Sequence, residues 1–298
     1  MDKMTERPTE SPLPKIRRRM VSNSPDGTET NPVVLHDSVL DVALNKFSNI
    51  RAVNLVKFFS VAVTMGSLMY EFYPPARGSY FSDKHNFLNQ YFVKLAWGWT
   101  MAIHTSFIVF SSLQSPVDAG QVVRGLVRVL LVGTAVWYFW VEIVFHRVMQ
   151  ATGACVGNAS LTEVRACIRD GHHWDGFDIS GHCFLLIYSA LLIHEELQII
   201  SNIKSKTPAY HSNSQSAQTM ITIPVANVTI GYRSLVNFLQ QLFTVLMTLF
   251  ELLWILMVMM TSIYFHVWSH KLLGTLIAFA SWHCTYNLWY QTTLSPGS

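Results

Sequence analysis

The sequence predicts an all-α, polytopic membrane protein with six transmembrane helices. Only 13% of its 298 residues are charged, about half the ~25% typical of soluble domains, and 50% are hydrophobic. Apolar runs of about 20 residues, the length that crosses a bilayer as a helix, recur through most of positions 54–292. The basic residues form no stripe on a soluble face, so we expect no nucleic-acid partner.

The six predicted spans are separated by proline-containing turns or by polar loops. Pro74 and Pro75 end the first span, and Ser115 and Pro116 turn the chain after the second. The fifth span is longer than a bilayer requires, so we expect its first two turns to protrude. The spans are predicted to cover residues 54–73, 91–113, 123–148, 180–203, 232–266 and 271–290.

Outside the spans, the ends of the chain differ in composition from the membrane part. Residues 1–45 are polar and rich in Pro, Ser and Thr, which predicts a disordered cytosolic tail. No apolar core closely follows the basic cluster in this segment, so it does not have the pattern of a cleaved signal peptide. Residues 46–292 form the predicted six-span membrane domain, and residues 293–298 a short C-terminal tail.

The distribution of charge predicts that both termini are cytosolic. With a cytosolic N-terminus, the cytosolic segments hold twice as many Lys and Arg residues as the other segments. The loop between spans three and four then faces the lumen. It carries a glycosylation sequon at Asn158 and two cysteines, Cys155 and Cys167, spaced to close a small disulfide loop. Both features suit an oxidising lumen, whereas the sequon at Asn227 falls on the cytosolic side.

Three groups of polar side chains, far apart in the sequence, are predicted at the same luminal depth. His182 lies at the start of span four, His266 at the end of span five, and the start of span two carries Asn86, Asn89 and Lys94. One imidazole as nucleophile and another as general acid, with cations on the non-bridging oxygens, suit phosphoryl transfer. Ser180 and Gly181 come just before His182 at a helix N-terminus, whose N–H groups can bind an anion.

Structural roles compete with these chemical ones. A histidine at a helix end also serves as an interfacial anchor, and Lys94 can extend its amine to the interface. A metal site is disfavoured because no helical metal-binding spacing accompanies His172, His173, Asp175 and Asp178. Glu195 and Glu196 lie about 20 Å along the helix from His182. For them we expect interhelical hydrogen bonds or the polar floor of a lipid pocket.

Three runs of sequence are specific enough to carry a family resemblance: NFLNQYFVKLAWGWT at 86–100, GFDISGHCFLL at 176–186 and YFH at 264–266. They resemble the fat storage-inducing transmembrane (FIT) proteins, and the resemblance extends over about residues 45–292. It implies an endoplasmic-reticulum membrane protein with a helical bundle related to the lipid phosphate phosphatases. It also implies luminal acyl-CoA diphosphatase activity without a cofactor, support of lipid droplet formation, and binding of diacylglycerol and triacylglycerol.

The resemblance also implies roles for single residues. His182 matches the histidine that donates a proton to the leaving group, and His266 matches the nucleophile. The phosphatases carry an acid four residues after the nucleophile, where this chain has His270. Asp178 is therefore a candidate to orient His266, and His270 is a competing nucleophile. The first phosphatase motif is matched more loosely, by Lys94 and the asparagines before it, Asn86 and Asn89.

Two classes of function follow from the sequence. As an enzyme, the protein would cleave fatty acyl-CoA to acyl 4'-phosphopantetheine and adenosine 3',5'-bisphosphate, with no metal required. As a non-catalytic protein, it would partition diacylglycerol and triacylglycerol into droplets, gripping them with the intramembrane polar residues Glu195, Glu196, Asn237, Gln240 and Gln241. A lipid monophosphatase is a third option. Acyl-chain preference, oligomeric state and protein partners are not encoded in any recognisable pattern.

Overall fold

The computed structural model of the protein describes residues 39–73, 78–114, 119–206, 226–293 and 295–296. Within these residues the chain is almost entirely helical, apart from one short hairpin of two strands. The predicted N-terminal tail up to residue 38, and the middle of the loop between spans four and five, lie outside the described residues. The first described helix covers Val39–Ser48, and the boundary between tail and membrane domain at residue 45 stays a prediction.

Most of the described residues belong to α-helices. These are α1 Val39–Ser48, α2 Ala52–Phe72, α3 Ala96–Gln114, α4 Ala119–Leu126, α5 Thr134–Trp137, α6 His146–Thr152, α7 Val164–Arg169, α8 Gly181–Lys206, α9 Ala226–Tyr264 and α10 Trp268–Trp282. Residues 119–152 form one continuous helix that begins as α4, ends as α6, and is widened by two π-helical turns at Val127–Gly133 and Tyr138–Phe145. Further π-helical turns precede α3, at Asn89–Val93, and follow α10, at His283–Trp289.

Three helical stretches of the described chain are long and apolar enough to cross a membrane: Ala52–Phe72, Ala119–Thr152 and Leu235–Tyr264. They coincide with predicted spans one, three and five. Predicted spans two, four and six coincide with α3, α8 and α10, which carry buried polar side chains such as His104, Glu196 and Lys271. These side chains lower the mean hydropathy of their helices, so the count of six spans stays a prediction.

Helix α8 lies at the centre of the fold, because it packs against α9, α10, α3, α2 and α1. Every residue from 183 to 194 is buried, which explains why this helix is apolar on all sides until His194. Small residues allow the surrounding helices to approach closely. A Cβ atom placed on Gly66 of α2 would lie 2.5 Å from Cβ of Ser262 on α9.

The end of α8 remote from His182 is held by buried polar contacts. Arg128 donates from Nε and Nη2 to the two carboxylate oxygens of Glu196, at 2.6 and 2.7 Å, and from Nη1 to the carbonyl of Pro296 at 2.9 Å. Tyr286 donates its hydroxyl to the same carboxylate. Glu195 accepts from the indole of Trp282 at 3.0 Å. Both glutamates therefore form interhelical hydrogen bonds, one of the two roles expected from the sequence.

A short hairpin links the 119–152 helix to α8. Strand β1 (Ala154–Val156) pairs antiparallel with β2 (His173–Asp175), and a disulfide joins Cys155 to Cys167 of α7. The indole of Trp174 donates to the carbonyl of Met149 at 3.0 Å, which fixes the hairpin on the helix end. The sequon residue Asn158 lies in the connection between β1 and α7, where its Oδ1 accepts from Ser160 Oγ.

Removing the Arg128 side chain is predicted to be strongly destabilising. The Arg128→Leu variant leaves the carboxylate of Glu196 buried without its cation, which costs about 3–5 kcal/mol. Thermal unfolding of the detergent-purified protein measures this loss. Arg124→Leu, one turn earlier on the same helix and only half-buried, is the control, and equal unfolding temperatures for the two variants would contradict the prediction.

Candidate active site

The two histidines singled out from the sequence reach the same end of the helix bundle from different helices. His182 is the second residue of α8. His266 lies in the three-residue connection between α9, which ends at Tyr264, and α10, which begins at Trp268. The ring of His182 interacts electrostatically with His266, Asp178 and Lys94, so three segments of the chain meet at this end.

The backbone of His266 has an unusual conformation. Its φ of 56° makes it the one non-glycine residue of the described chain in the left-handed region. That region is uncommon for residues with a Cβ atom, and such positions often occur at functional sites. The conformation lets the chain turn from α9 into α10 within three residues. Nδ1 of His266 lies 3.8 Å from Oδ2 of Asp178, the residue proposed from the sequence to orient it.

Helix α10 ties the His266 turn to the start of α8. The backbone N–H of Ser180 donates to the carbonyl of His270 at 3.1 Å. One turn further along α10, a Cβ atom on Gly274 would lie only 2.5 Å from the carbonyl oxygen of Ser180. The hydrogen bond and the missing side chain together hold the segment before His182 in a fixed position relative to His266.

Lys271 braces the same turn from inside the protein. The residue is fully buried, and its Nζ donates to the carbonyl of Ser262 at 2.7 Å and lies 4.5 Å from the ring centre of Tyr70. Ser262 lies in the last turn of α9, where carbonyls have no partner within the helix. The lysine therefore connects the end of α9, the start of α10 and the side of α2.

The N-terminus of α8 contributes backbone groups as well as His182. Ser180 Oγ accepts from the N–H of Cys183 at 3.3 Å, as a helix-capping side chain does. Because the N–H of Ser180 is used by His270, the N–H groups of Gly181 and His182 are those available to an anion in this first turn. The positive end of the helix dipole favours negative charge at this position.

Lys94 and the asparagines before it are placed differently from one another. Lys94 is exposed, and its Nζ donates to Oε1 of Gln90 at 2.8 Å. Asn86 and Asn89 are buried, and their side-chain amides donate to the carbonyls of Tyr80 and Lys84. These two amides therefore hold the loop before α3, and a phosphate would have to replace existing hydrogen bonds to use them.

The remaining polar residues of the predicted site surround the two histidines or lie on the hairpin. The ring of His270 packs edge-on against Phe177 at 4.4 Å and lies 6.3 Å from the ring of His266. His172 lies 3.3 Å from the carboxylate of Asp170. His173 and Asp175 belong to β2, whose register fixes them on the hairpin.

The surroundings of His266 favour its neutral form. Burial lowers the pKa of His266 below its ordinary value, and the charges of His270 and Lys271 lower it further. The carboxylate of Asp178 acts in the opposite direction and raises it. A neutral imidazole has a free nitrogen lone pair, which a nucleophile or general base requires.

Residues 77–286 match the sequence profile of the family described as fat storage-inducing transmembrane protein. The chain belongs to the FIT family. Together with the three long apolar helices, this membership identifies a multi-pass membrane protein. No solved structure matches the chain.

Curated relatives of this FIT protein carry the name acyl-coenzyme A diphosphatase FITM2. The protein of that name from Homo sapiens is 38% identical over 239 residues, covering 78% of this chain and 80% of the relative. The Sus scrofa protein is 36% identical over 245 residues, covering 80% and 83%, and the Danio rerio protein is 34% identical over 226 residues, covering 74% and 77%.

Sequence reasoning missed Lys271 and Gly274 as supports of the site. In the sequence, Lys271 stands out only as the first residue of predicted span six. Its position directly after His270, at the start of an apolar run, is the signal that could have marked it, because a lysine inside a helix bundle requires a polar partner. Gly274 gives no comparable signal, because a single glycine in an apolar run does not show which backbone approaches it.

The Asp178→Asn substitution is predicted to lower the pKa of His266 further. It removes the carboxylate that favours the protonated ring, while burial and the neighbouring cations remain. A pH titration of the histidine resonances by NMR measures the shift. Asp175→Asn, an exposed acid on β2, is the matched control. An unchanged or raised His266 pKa in Asp178→Asn would show that this carboxylate does not act on the ring.

The Lys271→Met substitution is predicted to destabilise the protein by about 1–3 kcal/mol, because it leaves the buried carbonyl of Ser262 without a donor. Methionine keeps most of the side-chain length, so the loss reports mainly on the hydrogen bond. Thermal unfolding gives the measurement, with Lys57→Met on the exposed face of α2 as the control. Equal stability of the two variants would show that the Lys271 brace is not needed.

Proposed function

We propose that this FIT protein is a fatty acyl-CoA diphosphatase of the endoplasmic-reticulum membrane. It would cleave acyl-CoA to acyl 4'-phosphopantetheine and adenosine 3',5'-bisphosphate. The observation that carries the proposal is that the Ser180–His270 hydrogen bond and the Asp178–His266 contact bring His182 and His266 to one end of the bundle. The name shared by the curated relatives supports the same reaction.

In the proposed first step, Nε2 of neutral His266 attacks one phosphorus of the diphosphate. The bond from that phosphorus to the bridging oxygen breaks, and His182 gives its proton to the departing oxygen. Asp178 faces Nδ1 of His266 and stabilises the positive charge that the ring acquires. The negative diphosphate favours the protonated form of the nearby His182. Binding of the substrate therefore gives His182 the proton that it later donates to the leaving oxygen.

In the second step, water attacks the phosphorus of the phospho-histidine and releases the second product. His182, now neutral, accepts the proton of that water and returns to its starting form. Lys94 and the N–H groups of the first turn of α8 are suited to hold the non-bridging oxygens, because charge on these oxygens needs fixed donors and cations. No step requires a metal ion or cofactor.

For the orientation, we propose six spans with both termini cytosolic and the active site open to the lumen. The Cys155–Cys167 disulfide and the sequon at Asn158 lie on the loop next to this site, and disulfides persist in oxidising compartments. The excess of Lys and Arg in the opposite segments supports the same orientation. Lipid droplet formation and endoplasmic-reticulum lipid homeostasis are the proposed cellular roles.

The structure weakens one argument for the alternative, a non-catalytic protein that binds neutral lipids. Glu195 and Glu196 had suggested a site for neutral-lipid esters, but Trp282 and Arg128 occupy their carboxylates. Diacylglycerol and triacylglycerol remain proposed ligands on the family resemblance alone. A protein that only partitions these lipids would keep its cellular effect when both site histidines are replaced.

Substitution of either site histidine is predicted to reduce kcat for oleoyl-CoA hydrolysis by about 10²-fold to 10⁴-fold, the usual contribution of a positioned acid, base or nucleophile. The variants are His182→Ala and His266→Ala in pure full-length protein, with His270→Ala testing the competing nucleophile. His283→Ala, exposed at the other end of α10, is the matched control.

Wild-type rates of acyl-CoA cleavage in His182→Ala, or in both His266→Ala and His270→Ala, would end the proposal. Loss of activity in His270→Ala with retention in His266→Ala would transfer the nucleophilic role to His270. Faster turnover of phosphatidate than of oleoyl-CoA by the wild-type protein would instead indicate a lipid monophosphatase.

A further inference from the structure

An apolar groove runs along one face of the 119–152 helix. Its wall is formed by residues at helical spacing, among them Leu131, Ala135 and Phe139, and Trp289 of the π-helical turn after α10 stands opposite. The groove is an open depression with a volume of about 470 Å³. Leu131 is 65% exposed and Phe139 50% exposed, so the groove opens to the outside of the bundle.

The groove is not the packing face of this helix. The helix packs on α3 through Thr134, which accepts from the indole of Trp97 at 3.3 Å, and through Trp137, which stacks on the same indole. Because these contacts lie on a different side of the helix from Ala135 and Phe139, α3 leaves the groove open along its length.

One end of the groove lies beside the active site. Trp140 lines this end, and the next residue, Val141, has its Cγ1 3.9 Å from the position of a Cβ atom on Gly181. One turn further, Phe145 packs edge-on against Phe184 of α8 at 5.6 Å. The groove therefore begins next to the first turn of α8, one residue from His182.

The other end of the groove lies at Leu131. Leu131 lies three residues after Arg128, whose guanidinium is bonded to Glu196. From Leu131 to Val141 the helix rises about 15 Å. The groove is thus an open apolar depression of about this length, and one of its ends lies beside the candidate active site.

We propose that this groove binds the fatty acyl chain of the substrate while its diphosphate lies at His182 and His266. The inference rests on the proposed function and adds the element that selects long-chain over short-chain substrates. The flexible pantetheine arm folds back at the mouth of the site, so the thioester enters the groove from the end beside Gly181. A bilayer lipid offers the same alkyl chemistry, but its headgroup would not place it in register with the two histidines.

Narrowing the groove tests this assignment. Ala135 is exposed at the middle of the groove, so Ala135→Trp fills the groove without entering the protein core. We expect kcat/KM for oleoyl-CoA to fall by about tenfold or more, and kcat/KM for butanoyl-CoA to stay within about twofold, because a pocket selects by the methylenes that it can accept. Val61→Trp on α2, whose parent side chain is 63% exposed, places the same bulky group away from the groove.

The outcomes separate this inference from the proposed function. A wild-type protein that hydrolyses both substrates, with an Ala135→Trp variant that loses both equally or neither, would overturn the groove assignment and leave the diphosphatase intact. If the wild-type protein hydrolyses neither substrate, the proposed function fails, and photocrosslinking then tests whether the groove binds the acyl chain. An oleoyl-CoA analogue with a mid-chain diazirine should then label residues 131–140. Labelling elsewhere, or equal labelling by a phosphatidylcholine carrying the same diazirine, would overturn the assignment.

Discussion

The contact between the start of α8 and the start of α10 is the constraint on which the site depends. A single backbone hydrogen bond, from the N–H of Ser180 to the carbonyl of His270, fixes the position of α8 along its axis relative to α10. Gly274 allows the approach, because any side chain there would overlap the Ser180 carbonyl. His182 lies two residues after Ser180, and His266 lies four residues before His270. The contact therefore brings two imidazoles that are 84 positions apart in the sequence to the same end of the bundle.

Buried charge is tolerated in this fold because each group has a defined partner. Arg128 and Glu196 neutralise one another through two hydrogen bonds, and His194 pairs with Glu251 at 2.9 Å. Unpaired charges at such depth would be costly. His194 and Glu196 both lie on α8, which is not among the helices identified as spans from their apolar length. Buried polar groups can thus hide a helix of the bundle from an assignment by composition alone.

The sequence was informative wherever one physical rule acts along a short stretch. Apolar length predicted α2, the 119–152 helix and α9, and the shared depth of the two histidines followed from helix direction alone. The part that could not be predicted depends on contacts across the chain. Nothing near Arg128 indicates that Glu196, 68 residues away, will be its partner, and nothing near Asn86 indicates that its amide will bond to the carbonyl of Tyr80 rather than to a ligand.

The bond from Arg128 to the carbonyl of Pro296 joins the third predicted span to a residue 168 positions further along the sequence. Synthesis runs from the N-terminus, so Arg128 and Glu196 are both made long before this proline. The two side chains can pair while the later helices are still being translated, whereas the guanidinium receives the Pro296 carbonyl only afterwards. The hydrogen bonds around Glu196 are therefore completed late in biogenesis, and a chain truncated before Pro296 would keep the ion pair but lack this acceptor.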